Sequence, residues 1–204
     1  HPSQELPVWD QGILLDADTA PDFQVLETQA AQLQIGTRAE ALVLARQTMP
    51  RRGLAHGQAV AQMALSLAQK LKKYGLKLNL DLVHNAALLH DIAKGQPQHE
   101  QAGAQLLTDL GLTELSHIVA SHRDLQPPAS GKLTEKEIVY LGDKLMRGDQ
   151  RVSIKDRFQE KLDKYAQDPQ ATQAIAGRLK NALAMARLFK NICGQDVHEI
   201  ELIK

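Results

Sequence analysis

The chain reads as an all-α protein, a helical bundle over residues 37 to 193 with one short strand-like segment near Ile13. Three observations predict this. Apolar residues make up 43% of the 204 positions but aromatics only 3%, a Leu- and Ala-rich mix that suits helices better than sheets. Helix starts are marked by a hydroxyl residue with an acid three positions on, at Thr19–Asp22, Thr37–Glu40 and Thr134–Glu137. Between these marks the apolar residues recur at the helical period.

Taken in order, residues 1 to 18 stand apart. "GILLDADT" reads as a short buried strand, Ile13 to Leu15, followed by a polar turn. Thr19 then caps a helix with Pro21 in its first turn. Thr37 opens a second helix, which Pro50 stops. A third runs from about Leu54 to Lys73 and ends near Gly75. Asn79 caps a fourth, read as Leu80 to Lys94 with Gly95 past its end. A shorter helix begins near His99 and stops at Gly111. Another covers about Thr113 to His122 and is closed by the loop "RDLQPPASG". Thr134 opens a helix to about Arg147, and Ser153 caps one more. Asp168-Pro169 starts the last long helix, which ends before Gly194.

Charge and cysteine content narrow the class. Lys and Arg number 24 and Asp and Glu 24, so the chain lacks the basic footprint of a nucleic-acid binder. The single cysteine, Cys193, forms no internal disulfide, which fits a reduced, cytoplasmic setting. No apolar run reaches the length of a membrane span. The first residue is His1 rather than Met, so the chain is read as a piece of something longer.

One stretch raises a chemical question. "ALLHDIAKG" sets His90 and Asp91 at the end of an apolar run, and "IVYLGDKLM" does the same with Asp143. An unpaired buried carboxylate is very costly. The helix map can bring these residues together with His56, His99 and His122. Any one of them alone is more often a hydrogen-bonded core residue or a helix cap. As a set, two carboxylates among several imidazoles make sense around a divalent cation, and Fe, Mn, Co, Ni or Zn suit such mixed donors. Bundle metal sites are built in this way, from side chains on facing helices.

The order His56, His90-Asp91, Asp143 resembles the HD-domain metal-dependent phosphohydrolases. "RRGLAHGQAVAQMALSLAQKL" is similar to the family's first helix and "LDLVHNAALLHDIAKG" to its name-giving helix, and the resemblance runs from about Arg51 to Gly148 with a helical tail to Gly194. "QHEQAGAQLL" around His99 and "IVASHRD" around His122 resemble the extra histidine pair of the family's binuclear branches, which include the bacterial dinucleoside-tetraphosphate hydrolases. Residues 36 to 204 are therefore expected to form an HD domain with a helical extension. Residues 1 to 35 resemble the tail of a MobA-like molybdenum-cofactor nucleotidyltransferase, in "DQGILLDADTAPDFQVLE". Its Gly-rich nucleotide-binding start is absent, so Asp16 and Asp18 are read as remnants and the parent as a fusion to such a domain.

The resemblance implies one metal on His56, His90, Asp91 and Asp143, and a second on Asp91 as a bridge with His99 and His122. One or two divalent ions are expected, with Mn, Fe, Mg, Ni, Co and Zn not distinguished. Asp91 and Lys94 are the expected catalytic groups, Lys94 by reaching a phosphate oxygen from one turn beyond His90. Arg123, Lys144, Arg147 and Arg151 are read as charges that line the entrance or the surface. His1, His84, His117 and His198 are left outside the site. The expected substrate is a small phosphorylated compound, a nucleotide or dinucleotide among the options, with neither nucleic acid nor membrane as partner. Two other functions share the donor set: a binuclear-iron oxygenase of the HD type, and a ligand-sensing HD module that regulates an attached nucleotidyltransferase.

Overall fold

The computed structural model describes residues 18–202, and these form a helical bundle. Its helices are α1 (Ala20–Leu33), α2 (Arg38–Thr48), α3 (Arg51–Lys72), α4 (Leu80–Leu89), α5 (His99–Asp109), α6 (Thr113–Val119), α7 (Glu135–Lys144), α8 (Ile154–Lys164) and α9 (Pro169–Cys193). Between α7 and α8 lies a two-stranded antiparallel hairpin, β1 (Met146–Arg147) and β2 (Gln150–Arg151), and a 3-10 turn at Val197–Glu199 follows α9. The expected strand at Ile13–Leu15 and the remnant residue Asp16 lie outside the described residues. None of the described helices is long and apolar enough to cross a membrane.

Helix starts fall where local chemistry places them. The Thr37 hydroxyl accepts from the Glu40 N–H at 3.2 Å while the Glu40 carboxylate accepts the Thr37 N–H at 2.7 Å. Thr134 and Glu137 make the same reciprocal pair. Asn79, Ser153 and Asp168 each accept an N–H of the turn they open.

α3 is the central element and packs along α4 and α7. It buries Val60, Met63, Ala64, Leu67 and Leu71 at helical spacing. α8 and α9 close one side through Phe158, Met185 and Phe189, all inaccessible or nearly so. Two glycines allow the helices to meet closely. A Cβ on Gly57 of α3 would stand 2.3 Å from the Leu88 carbonyl oxygen, and one on Gly142 of α7 would stand 3.0 Å from the Ala64 Cβ. Each glycine is the chain neighbour of a candidate site residue, His56 and Asp143.

Two of the helix ends that differ from the sequence reading do so for one reason. α4 stops at Leu89 rather than Lys94, and α6 at Val119 rather than His122. In both cases an imidazole caps the final turn. His90 Nδ1 donates to the Ala87 carbonyl at 2.7 Å and His122 Nδ1 to the Val119 carbonyl at 2.7 Å. The His90 ring satisfies a carbonyl that the terminating helix leaves open, and the His122 ring shares the Val119 carbonyl with its own backbone N–H at 3.4 Å. The hairpin was not expected either. It turns at Gly148, whose φ of +59° is the left-handed region that glycine enters without cost, and so ends α7 earlier than Arg147.

Candidate metal centre

The six candidate residues come from five places in the fold. His56 lies in the second turn of α3 and Asp143 near the end of α7. His90 and Asp91 lie in the turn after α4, His99 opens α5, and His122 lies just past α6. Five of them, all but His99, are buried.

Their ligand atoms face one another in two groups that share Asp91. His56 Nε2 is 3.4 Å from Asp143 Oδ1 and His90 Nε2 is 3.7 Å from the same oxygen. Asp91 turns Oδ2 to this group, at 3.5 Å from His90 Nε2 and 3.9 Å from His56 Nε2. It turns Oδ1 the other way, at 3.6 Å from His99 Nε2 and 3.7 Å from His122 Nε2. The imidazoles form a continuous row, with ring centroids 5.1, 5.2 and 5.8 Å apart along His56, His90, His122 and His99.

Backbone carbonyls fix the tautomers. A carbonyl only accepts, so each Nδ1 that meets one carries the proton. His56 donates to Gly148, His90 to Ala87 and His122 to Val119. A neutral ring then presents its Nε2 lone pair inward, the arrangement that orients metal-binding histidines. His90 Nε2 is buried with no hydrogen-bond partner. It faces carboxylate oxygens, which are also lone-pair donors. Lone pairs converging in a buried space call for a cation between them. The donor set, imidazole nitrogen with carboxylate oxygen, suits a divalent transition ion. His56, His90 and Asp143 form one cluster able to hold a metal, and Asp91, His99 and His122 a second.

The carboxylates are held ionised. Burial pushes the Asp91 carboxyl up, but the donors and charges around it, the Lys94 ammonium among them, outweigh it and hold the group well below the usual carboxylate range. Asp143 is likewise pushed up by burial and carried well below that range by Lys144, Arg157 and His56. Burial keeps the His90 imidazole below its ordinary value, against the opposing pull of Asp91 and Asp143. All three groups bind fewer protons folded than unfolded. Acid therefore favours the unfolded chain. In the metal-free protein, stability is expected to fall as pH drops below about 6.5, where unfolded imidazoles protonate, and further through about 4, where unfolded carboxylates do. Urea midpoints at neutral pH and at about pH 4 check this, and an equal or higher midpoint in acid contradicts it.

Of the cations read as lining the entrance or the surface, Arg123, Arg147 and Arg151 are exposed and Lys144 is not. Lys144 is buried, with Nζ 2.6 Å from Asp143 Oδ2 and 4.4 Å above the Tyr140 ring. Arg147 pairs with Glu160. Arg151 is a clip for the C-terminal segment, donating to the carbonyls of Ile200 at 2.8 Å and Val197 at 3.1 Å. Arg151→Met is accordingly expected to cost about 1 kcal/mol of stability and to leave metal affinity unchanged; an effect on metal binding alone would reverse that assignment. Arg123 pairs with Glu100 at 3.2 Å, and Glu100 also lies 3.4 Å from His99 Nε2. Lys94 bonds Asp91 and leaves its side chain 60% exposed.

Sequence reasoning missed Glu100 and Arg157. Arg157 Nη2 donates to Asp143 Oδ1 at 2.8 Å. Its signal was present, because Ile154, Arg157 and Phe158 share the buried face of α8. His84 bonds Asn85, away from the site, and His117 is exposed.

Comparison with known proteins accords with this geometry. The HD domain model matches residues 53–148, a span that takes in all six residues. The chain belongs to the HD-domain family. It is also 30% identical over 129 residues to an uncharacterized protein of Methanocaldococcus jannaschii, covering 53% of this chain and 76% of that relative. No solved structure gives a significant match. Members of the HD-domain family are in general metal-dependent hydrolases, and the two His/Asp clusters of this chain could hold divalent metal.

Proposed function

We infer that this HD-domain protein is a metal-dependent phosphohydrolase acting on a small phosphorylated compound, with nucleotides and dinucleotides as the first class to test. The observation that carries the reading is the Asp91 carboxylate, which directs one oxygen to His56 and His90 and the other to His99 and His122. His56, His90, Asp91 and Asp143 would hold one divalent ion, and Asp91, His99 and His122 a second. Bound there, such ions supply Lewis acidity at the phosphoryl oxygens and hydroxide near neutral pH. The chain's own groups do the rest. Asp91 keeps the two halves at a fixed separation. The carbonyls of Gly148, Ala87 and Val119 hold three imidazoles as neutral donors. Lys94, anchored on Asp91 but exposed along its stem, can swing to a non-bridging phosphate oxygen. The excess of cations around the carboxylates favours an anionic substrate over dioxygen.

The test is a panel of phosphate esters offered to purified protein reloaded in turn with Mn, Fe, Mg, Ni, Co and Zn. Phosphate release with at least one metal, and none after chelation, is the expected result. Oxygen uptake by the iron form without phosphate release would transfer the chain to the oxygenase class. Tight metal binding with neither reaction would favour a sensing module.

A further inference from the structure

Three cationic groups end on the two carboxylates of the centre. Lys94 bonds Asp91, while Lys144 and Arg157 bond opposite oxygens of Asp143. Both carboxylates are thus neutralised by protein cations, and one positive charge is left over. The surplus is felt nearby. The Lys161 ammonium, one turn beyond Arg157 on α8, is pushed down to about 8, first by burial and then by the charges of Arg157 and Lys144. A divalent ion added to such a cluster raises the local positive charge further, and an anion must offset it.

Lys144 and Arg157 differ in what they have left to give. Lys144 is fully engaged, since it also donates to the His122 carbonyl at 3.3 Å and lies over Tyr140. Arg157 spends Nη2 on Asp143, but its Nε is buried with no hydrogen-bond partner. A buried donor without an acceptor is costly. A guanidinium edge is a planar fork that matches the oxygens of a phosphoryl group. The oxygen that Arg157 touches, Asp143 Oδ1, is the one that faces His56 and His90. The fork therefore stands at the centre itself. It comes from α8, outside the residues matched by the family model.

We propose that Arg157 is a phosphate-binding residue of this centre and that the site takes a phosphoryl group bearing two or more negative charges, a phosphomonoester end or a polyphosphate, in preference to a singly charged phosphodiester. The inference rests on the proposed phosphohydrolase function. A metal ion that takes up the Asp143 charge leaves the Arg157 guanidinium to face the incoming anion. A dianion balances that surplus better than a monoanion does.

The experiment is calorimetric titration of the Mn-loaded protein, at about pH 8 where phosphate is a dianion, with inorganic phosphate and with dimethyl phosphate. The wild-type protein is expected to bind phosphate at least about tenfold more tightly than the diester, as one extra charge-assisted contact would give. Arg157→Gln should weaken phosphate by about 10- to 100-fold while Mn still binds, since Lys144 stays on Asp143. Arg157→Lys should restore part of the loss. Equal phosphate affinity in Arg157→Gln and wild type, with Mn binding intact, would reduce Arg157 to a brace for Asp143 and overturn the proposal. Joint loss of Mn and phosphate in both variants would overturn it as well, and so would equal binding of phosphate and dimethyl phosphate by the wild-type protein. A wild-type protein that binds neither Mn nor phosphate is a separate result, because it removes the phosphohydrolase reading itself.

Discussion

Asp91→Ala is expected to abolish both metal binding and phosphate release. The substitution removes the one carboxylate whose oxygens face both imidazole groups, so the His99–His122 half loses its shared anion and the His56–His90 half keeps only Asp143. Losing several kcal/mol of charge stabilisation at a phosphoryl centre lowers the rate on the order of 10³-fold or more. Asp91→Asn is the companion variant, since it keeps the size of the side chain and removes only the charge. His122→Ala should be milder. It takes one nitrogen from the Asp91 Oδ1 side and leaves His56, His90 and Asp143 together, so one metal should remain. Metal content per chain, measured beside phosphate release, separates these cases. An Asp91→Ala protein that still holds metal and turns over at the parent rate would show that His90-Asp91 is only a helix end.

Gly57→Ala is expected to unfold the bundle or open its centre. Alanine is the better helix former by about 1 kcal/mol, and propensity alone predicts a gain. The steric effect is larger and opposite. The new methyl would stand 2.3 Å from the Leu88 carbonyl, which is backbone and cannot rotate away. Parting α3 from α4 breaks the packing around Val60, Ala64 and Leu88 and carries His56 away from His90. A loss of about 3 kcal/mol is expected, at the upper end for overpacking. Gly177→Ala supplies the contrast. Gly177 lies within α9, and a methyl added there would meet nothing within 4 Å, so that variant should gain up to about 1 kcal/mol. Urea unfolding of both metal-free variants is the measurement. If the two come out alike, the close approach of α3 to Leu88 is wrong.

Part of the centre was legible because His90, Asp91 and Asp143 stood in improbable company. His90 and Asp91 follow Leu88 and Leu89, and Asp143 follows a run of buried residues from Ile138. Charged or polar groups there need a partner, and a list of them is a list of candidates. The helix starts were legible for a different reason. Thr37, Thr134 and Asn79 act on N–H groups within three residues, so the cap is written beside the helix it opens. Helix ends were less so. α4 and α6 stop where an imidazole reaches a carbonyl, and a histidine does this only when burial holds its ring in place.

Apart from Arg157, whose spacing sets it on the buried face of α8, surface and interior cations could not be separated by reading along the chain. Lys144, Arg147, Arg151 and Arg157 lie within fourteen positions and look alike in the sequence, yet they end on Asp143, Glu160, two C-terminal carbonyls and again Asp143. A long charged side chain takes the partner that the fold brings within reach, and that partner lies on another element. Local signals in the sequence determined the all-α class, most helix starts and the six candidates proposed for metal, because capping, periodicity and the cost of burying charge act over a few neighbouring positions. Only the tertiary structure decided which Asp91 oxygen faces which histidines, how closely α3 meets α4 at Gly57, and which cations close on Asp143, because those depend on distances between elements far apart in the chain.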